Sequence, residues 1–174
     1  HFVGVARDEA GTAFAGQVKI DLSQGRYLNI DVLHRIVGFE DSGSVRKRAQ
    51  EVTLGSASFK AMHPLDCLRS RLENLHKIAE KRDEASAAQA TLTVRIAARY
   101  VETLLEAGRE RIALKAIESV AKMALGPAGR FAFGSFGVDV LDAIPVNRIA
   151  NRKFLDVRWP QILAQAEGRR RPRR

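Results

Sequence analysis

The sequence predicts an α+β fold: a small antiparallel or mixed sheet in an N-terminal lobe, followed by an α-helical C-terminal lobe. Three observations carry this. Apolar and polar residues alternate through residues 17–32, the period of a strand with one face in a core. From Pro64 onward apolar residues recur every three to four positions, the period of a helix. Gly108 and Gly126-Pro127 then cut the helical stretch into pieces of ordinary length. The expected boundaries are residues 1–63 for the β-rich lobe, 64–167 for the helical lobe and 168–174 for a basic, disordered tail.

In the β-rich lobe Val18, Ile20 and Leu22 alternate with Gln17, Lys19 and Asp21. Leu28, Ile30 and Val32 alternate with Tyr27, Asn29 and Asp31. Ser23-Gln24-Gly25 lies between them, a three-residue loop whose last position takes left-handed backbone and suits glycine. This loop opposes Leu22 to Arg26, Ile20 to Leu28, Val18 to Ile30, Lys19 to Asn29 and Gln17 to Asp31. A slip of one residue would set apolar against polar along the whole ladder, so the register is well specified. The second face then carries Gln17, Lys19, Asp21, Tyr27, Asn29 and Asp31. A sheet with one wet side accounts for it. So does a catalytic face with Asp31 as a metal-binding carboxylate, because aspartate is a poor strand former inside an otherwise apolar run. After a turn at residues 38–42, Ser42 or Ser44 is expected to cap a short helix through Gln50. Residues 51–54 and 57–62 read as a second hairpin around Gly55-Ser56. The neighbouring Arg46, Lys47 and Arg48 read as a solvated face.

Pro64 opens the helical lobe at a first helical position, where a missing N–H leaves nothing unpaired. The helix is read as carrying Arg69, Arg71, His76, Lys77, Lys81 and Arg82, with acids at Asp66, Glu73, Glu80 and Asp83. Leu68, Leu72 and Leu75 mark its buried stripe. Arg69 and Arg71 stand two residues apart, about 200° around the axis, so they cannot face one ligand. Arg71 borders Leu68 and Leu75 in projection and is expected to look into the cleft between lobes, with Arg69 toward solvent. Further helices are expected over residues 84–107, with Ala88, Leu92, Ile96 (or Val94), Tyr100 and Leu104 inward, and 109–125, with Ile112, Ala116, Ile117 and Val120 inward. Shorter ones are expected at 129–136, 139–143 and 159–166.

Composition sets outer bounds. The chain has 174 residues, 45% of them hydrophobic, enough for a proper core. No run approaches the roughly 18 apolar residues of a membrane span, and no membrane partner is expected. The single cysteine, Cys67, allows no internal disulfide, which suits a reducing cytoplasm. It reads as a small buried hydrophobe rather than a nucleophile. The net charge is +9, of which Arg169, Arg170, Arg171, Arg173 and Arg174 supply five. That tail attracts polyanions without selecting among them.

The stretch FKAMHPLDCLRSRLENLHKIAEKRDEASAAQ, from Phe59 to Gln89, also carries a family likeness. A strand runs into Pro64, a helix follows with Arg71 about two turns in, and the pair Arg82-Asp83 comes next. With IDVLHRIVGFED upstream and AGRFAFGSFGVDVLDAIP downstream, the chain resembles small nucleotidyltransferase-fold proteins near the AbiEii/AbiGii-type toxin family, over roughly residues 12–165. The resemblance implies transfer or binding of a nucleotide. Sheet carboxylates would hold Mg²⁺, which bridges nucleotide phosphates and activates an incoming hydroxyl. Asp31 matches the last of those carboxylates, and so is the implied catalytic and metal residue. Arg71, Lys77, Lys81 and Arg82 are the implied phosphate contacts, with Asp83 orienting Arg82. The implied partners are a nucleoside triphosphate, an RNA or protein acceptor, and an antitoxin. The Gly-Ser pair and Asp-x-Asp of the family's first strands are not found upstream of Asp31, and Ser86 stands where relatives tend to carry a second aspartate. The expectation is therefore a truncated or degenerate member. The alternative is a non-catalytic module that binds nucleic acid or protein.

Other motifs are excluded. Gly134-Ser135 ahead of Asp139 and Asp142 has the wrong spacing and lies among helices. His34, His63 and His76 have no ligand-like spacing with Cys67, which argues against zinc. No phosphate-cradling or dinucleotide glycine loop occurs, and no nucleophile elbow. Deleting residues 169–174 is expected to leave the melting temperature unchanged. It should also flatten the salt dependence of nucleic-acid binding, by about one unit of log–log slope for each phosphate that the tail neutralises. Thermal denaturation beside a salt titration reads both effects.

Overall fold

The structure is a computed structural model and describes residues 2–3, 14–21, 27–33 and 36–170. The fold is α+β, strands first and helices after. Strands β1 (Phe2–Val3), β2 (Phe14–Asp21) and β3 (Tyr27–Leu33) form an antiparallel sheet in that order. The β2–β3 ladder opposes Gln17 to Asp31, Val18 to Ile30, Lys19 to Asn29 and Ile20 to Leu28, the pairing that the alternation dictates. Leu22, Arg26 and the Ser23-Gln24-Gly25 loop lie outside the described residues.

Helix α1 (Ser42–Arg48) is capped by Asp41, not by a serine. The Gly43 and Ser44 N–H groups donate to its carboxylate at 2.7 and 3.0 Å, and the Ser44 hydroxyl donates to its carbonyl at 2.8 Å. Asp41 precedes both serines and meets two orphan N–H groups at once, so it takes the cap. The helix stops at Arg48. Strands β4 (Gln50–Leu54) and β5 (Ala57–Ala61) follow as a separate antiparallel pair, turning at Gly55 with φ 61°.

Helix α2 (Pro64–Lys77) has Pro64 in its first turn, and His63 Nδ1 accepts from the Leu65 N–H at 3.2 Å. It ends earlier than the sequence suggests. Ile78 is extended, a short 3₁₀ turn spans Ala79–Lys81, and Asp83 caps α3 (Glu84–Glu106) by accepting from the Ser86 N–H at 2.6 Å. Lys81, Arg82 and Asp83 are therefore connector residues. A β-branched residue followed five positions later by a strong N-cap ends one helix and starts the next.

The buried stripe of α3 is Ala87, Ala90, Val94, Ala97, Val101 and Leu104. Leu92 and Ile96, expected inward, are 56% and 41% exposed, and Ala88 is exposed as well. The reason is geometric. Steps of four advance 40° beyond a full turn each time, whereas the true stripe alternates steps of three and four. Its alanines let neighbouring helices approach closely. Helix α4 (Glu110–Leu125) buries Ala113, Ala116, Ile117 and Val120, while Ile112 stays exposed.

Helix α5 (Pro127–Phe136) begins at once after Gly126. Short 3₁₀ turns over Val140–Ala143 and Val146–Arg148 follow. A π turn, Phe154–Arg158, then leads into α6 (Trp159–Arg170). Pro160 explains the π turn: it has no N–H for the Asp156 carbonyl, and its ring crowds that oxygen. Arg169 and Arg170, expected in the tail, are the last residues of α6, and residues 171–174 lie outside the described residues. The core joins Leu68, Leu72 and Leu75 of α2 to the α3 stripe, Ile117 and Val120 of α4, and Ile162 of α6. No described helix is long and apolar enough to cross a membrane.

Gly129 sets the α4–α5 crossing. A Cβ there would fall on the Met123 carbonyl oxygen and meet the Ala124 backbone at 2.9 Å. Gly129→Ala is expected to cost about 1–3 kcal/mol by forcing backbone apart. Gly134→Ala, with nothing within 4 Å, should be neutral or gain up to about 1 kcal/mol as a helix-interior glycine replaced. Urea denaturation of the two variants measures both signs.

Candidate functional site

An open cavity of about 360 Å³ lies between the end of α1, the first half of α2, the end of α4 and the start of α5. Arg48 comes from the last turn of α1 and donates to Asp66 Oδ1 at 2.6 Å. Asp66 stands in the first turn of α2, where a carboxylate suits the helix dipole, and its side chain is only 4% exposed. Its second oxygen, Oδ2, has no hydrogen-bond partner among the described residues.

One turn on, Arg69 stacks its guanidinium 4.8 Å above the Phe39 ring. Phe39 is delivered by a turn at Gly38, where φ is 89° and a Cβ would meet Glu73 Cγ at 2.6 Å. Only glycine permits that conformation and that approach. Glu73 accepts from Lys77 Nζ at 3.0 Å.

The opposite wall is Ser119, Lys122 and Met123 of α4, with Gly126, Pro127 and Ala128. Among the described residues no side chain caps α5, whose first position, Pro127, has no N–H to satisfy and whose positive dipole end lies at the cavity's edge. Leu65, Leu72, Met123 and Pro127 give the cavity its apolar surface. It thus combines cations, a helix N-terminus, two carboxylates and an apolar wall.

The residues singled out from sequence are dispersed. Arg69 lines the cavity and Arg71 does not, while Arg69 is exposed and Arg71 half-buried, as the helical projection expects. Arg71 is half-buried beside Cys67, whose free thiol is pushed up by burial while the Arg71 charge opposes that. Both arginines border the leucine stripe, but the cavity opens on the flank of Leu65, Arg69 and Glu73, and only the position of α4 decides which flank that is. Lys77 is engaged with Glu73. Lys81 is exposed on the connector. Arg82 donates to the His76 carbonyl at 2.7 Å and lies 5.1 Å over the Phe131 ring. Asp83 caps α3, and the hydrogen bond from the Ser86 backbone N–H holds its carboxyl below the usual range.

Asp31 sits on β3 opposite Gln17; its side-chain surroundings are outside the described part of the chain. Asp21 lies four residues along β2 from Gln17, about 13 Å away. One ion with ligand bonds of about 2.0–2.6 Å cannot span that distance. Among the described residues no group of three His, Cys, Asp or Glu could hold a metal ion.

The sequence pattern does not mark Arg48, Arg69 and Lys122 as a group. The usable signal is Gly126-Pro127, a helix start without a polar cap. Matched against protein-family models, curated proteins and solved structures, the chain finds no counterpart.

Beside the cavity, Arg158 forks onto Glu118 at 2.6 and 2.7 Å, joining the π turn to α4. Those hydrogen bonds hold the Glu118 carboxyl below its usual range. A depressed carboxyl stabilises the fold above its unfolded value and loses that contribution as pH falls through its folded value. Arg158→Met is expected to cost about 1 kcal/mol at neutral pH, the pair being partly exposed. That difference should close as pH drops below about 4. Urea melts of both proteins along a pH series check this.

Proposed function

We propose that this chain binds a nucleotide through its phosphates in the cavity between α2, α4 and α5, as the helical half of a nucleotidyltransferase-like protein. The observation that carries the proposal is the convergence of Arg69, Lys122 and the uncapped start of α5 on one apolar-walled cavity. Charged donors and helix N–H groups suit a phosphate. Leu65, Leu72, Met123 and Pro127 offer a surface for a base. Glu73 can accept from a sugar hydroxyl or an exocyclic amine. A volume of about 360 Å³ lies within the range of small-ligand sites.

The proposal follows the family likeness in assigning phosphate contact to α2, with Arg69 in the role that the likeness implies for Arg71. It concerns binding, and it holds equally for a catalytic member and for a non-catalytic module. Transfer would require a carboxylate set around Mg²⁺, which the likeness puts upstream of Asp31. With its lone cysteine, the chain suits a cytoplasmic location.

Calorimetric titration with ATP and GTP tests the reading. Arg69→Ala and Lys122→Ala should each weaken binding about tenfold, near 1.4 kcal/mol, while Arg71→Ala should leave it unchanged. Failure of the unmodified chain to bind either nucleotide would sink the reading, as would an equal loss in Arg71→Ala.

A further inference from the structure

The cavity continues along α4. A second depression of about 480 Å³ adjoins it and shares Ser119 and Lys122 with it. Its other lining includes Arg111, Lys115 and Glu118. Arg111, Lys115 and Lys122 are exposed. At 100° per residue they fall within about 40° of one another around the helix, along about 16 Å of its axis. None of the three is in an ion pair among the described residues. Glu118 is the acid on this strip, and Arg158 occupies both of its oxygens. The strip therefore presents three exposed cations outside any ion pair, with Lys122 close enough to Glu118 for its charge to act on that carboxyl, and it leads into the cavity at Lys122.

Such a row is unfavourable by itself. Arg111 and Lys115 are like charges at i,i+4, which destabilises a helix. A polyanion laid along the strip would reverse that sign, and a mononucleotide seated at Arg69 and Lys122 would not reach it.

We infer that the cavity receives the end of a single-stranded nucleic acid, whose phosphodiester backbone runs over Lys115 and Arg111. The inference rests on the nucleotide reading of the cavity and extends it from a monomer to a chain. The strand is single because a base can enter a cavity of this size only when it is unpaired. Contact is with the backbone, so sequence preference is weak.

The test uses the full chain. Fluorescence anisotropy follows a labelled single-stranded oligonucleotide of about eight nucleotides, a blunt duplex of the same sequence, and vesicles containing anionic lipid. Calorimetry follows ATP. The arginines beyond α6 are present in every form, so their contribution cancels between variants. The charge-reversed variant R111E/K115E should bind the single strand at least about tenfold more weakly. Its log–log salt slope should also be shallower by about 1.4 units, the share of two single-strand phosphates. Its ATP affinity should stay within about twofold of the unmodified chain, a shift of roughly 0.4 kcal/mol or less. The milder R111Q/K115Q replaces it if circular dichroism shows the reversal unfolds. Lys122→Ala should weaken both ligands.

Oligonucleotide binding no tighter than ATP binding, or indifferent to the α4 substitutions, overturns the inference. Equal affinity for the blunt duplex overturns the single-strand assignment. Vesicle binding that depends on Arg111 and Lys115, with no oligonucleotide binding, makes the strip a membrane-surface patch and also overturns it. Loss of ATP binding with α4-dependent oligonucleotide binding intact supports the track along α4 and overturns the mononucleotide reading alone.

Discussion

Burial of the Leu68, Leu72 and Leu75 face of α2 is the constraint on which the rest of the helical lobe depends. All three side chains are essentially inaccessible to water, and α2 packs against α3, α4 and α5. Once that face is committed, the helix has two flanks left. One carries Cys67 and Arg71, the other Leu65, Arg69 and Glu73. Helix α4 closes on the second flank, and its junction with α5 brings a helix start to the same place. The chemistry of the cavity follows from which side of a leucine stripe is covered.

Asp66 gives the cavity its tension. A carboxylate this deeply buried is costly unless it is paired, and Arg48 reaches across from α1 to satisfy one oxygen. The pair also binds the segment before β4 to the helical lobe, because the two residues lie eighteen positions apart. The arginine is half outside and the aspartate almost wholly inside. The link therefore acts less as a gain in stability than as a demand for one arrangement. Glycine at position 38 serves the same end by letting a turn press Phe39 under Arg69 and its backbone against Glu73.

Much of the fold is legible in the chain, and for identifiable reasons. The β2–β3 register is fixed by a period of two, which tolerates no slip. Pro64 announces α2, and Gly108 and Gly126 bound α4. The α3 stripe misleads because its heavier side chains, Leu92 and Ile96, lie outside while alanines face in, so apolar bulk points the wrong way. The end of α2 is hidden because Ile78 and Asp83 act locally, against a charge pattern that runs on. The cavity lies on the Arg69 flank, although the projection sets Arg71 nearer the leucine stripe, because α4 and α5 close there, and no local pattern encodes that tertiary choice.

The π turn before α6 has a mechanical consequence. Phe154, Arg158, Ile162 and Ala166 follow one another in strict steps of four, and all are turned toward the body of the protein: Phe154, Ile162 and Ala166 are buried and Arg158 reaches Glu118. A regular helix would let that series wind away by about 40° at each step. The wider turn slows the winding where the series begins. It works as a phase adjuster, gearing the last helix to α4. Positions around it can change identity at modest cost, but the number of residues between Phe154 and Ile162 cannot change without turning one end of the helix away from its partners.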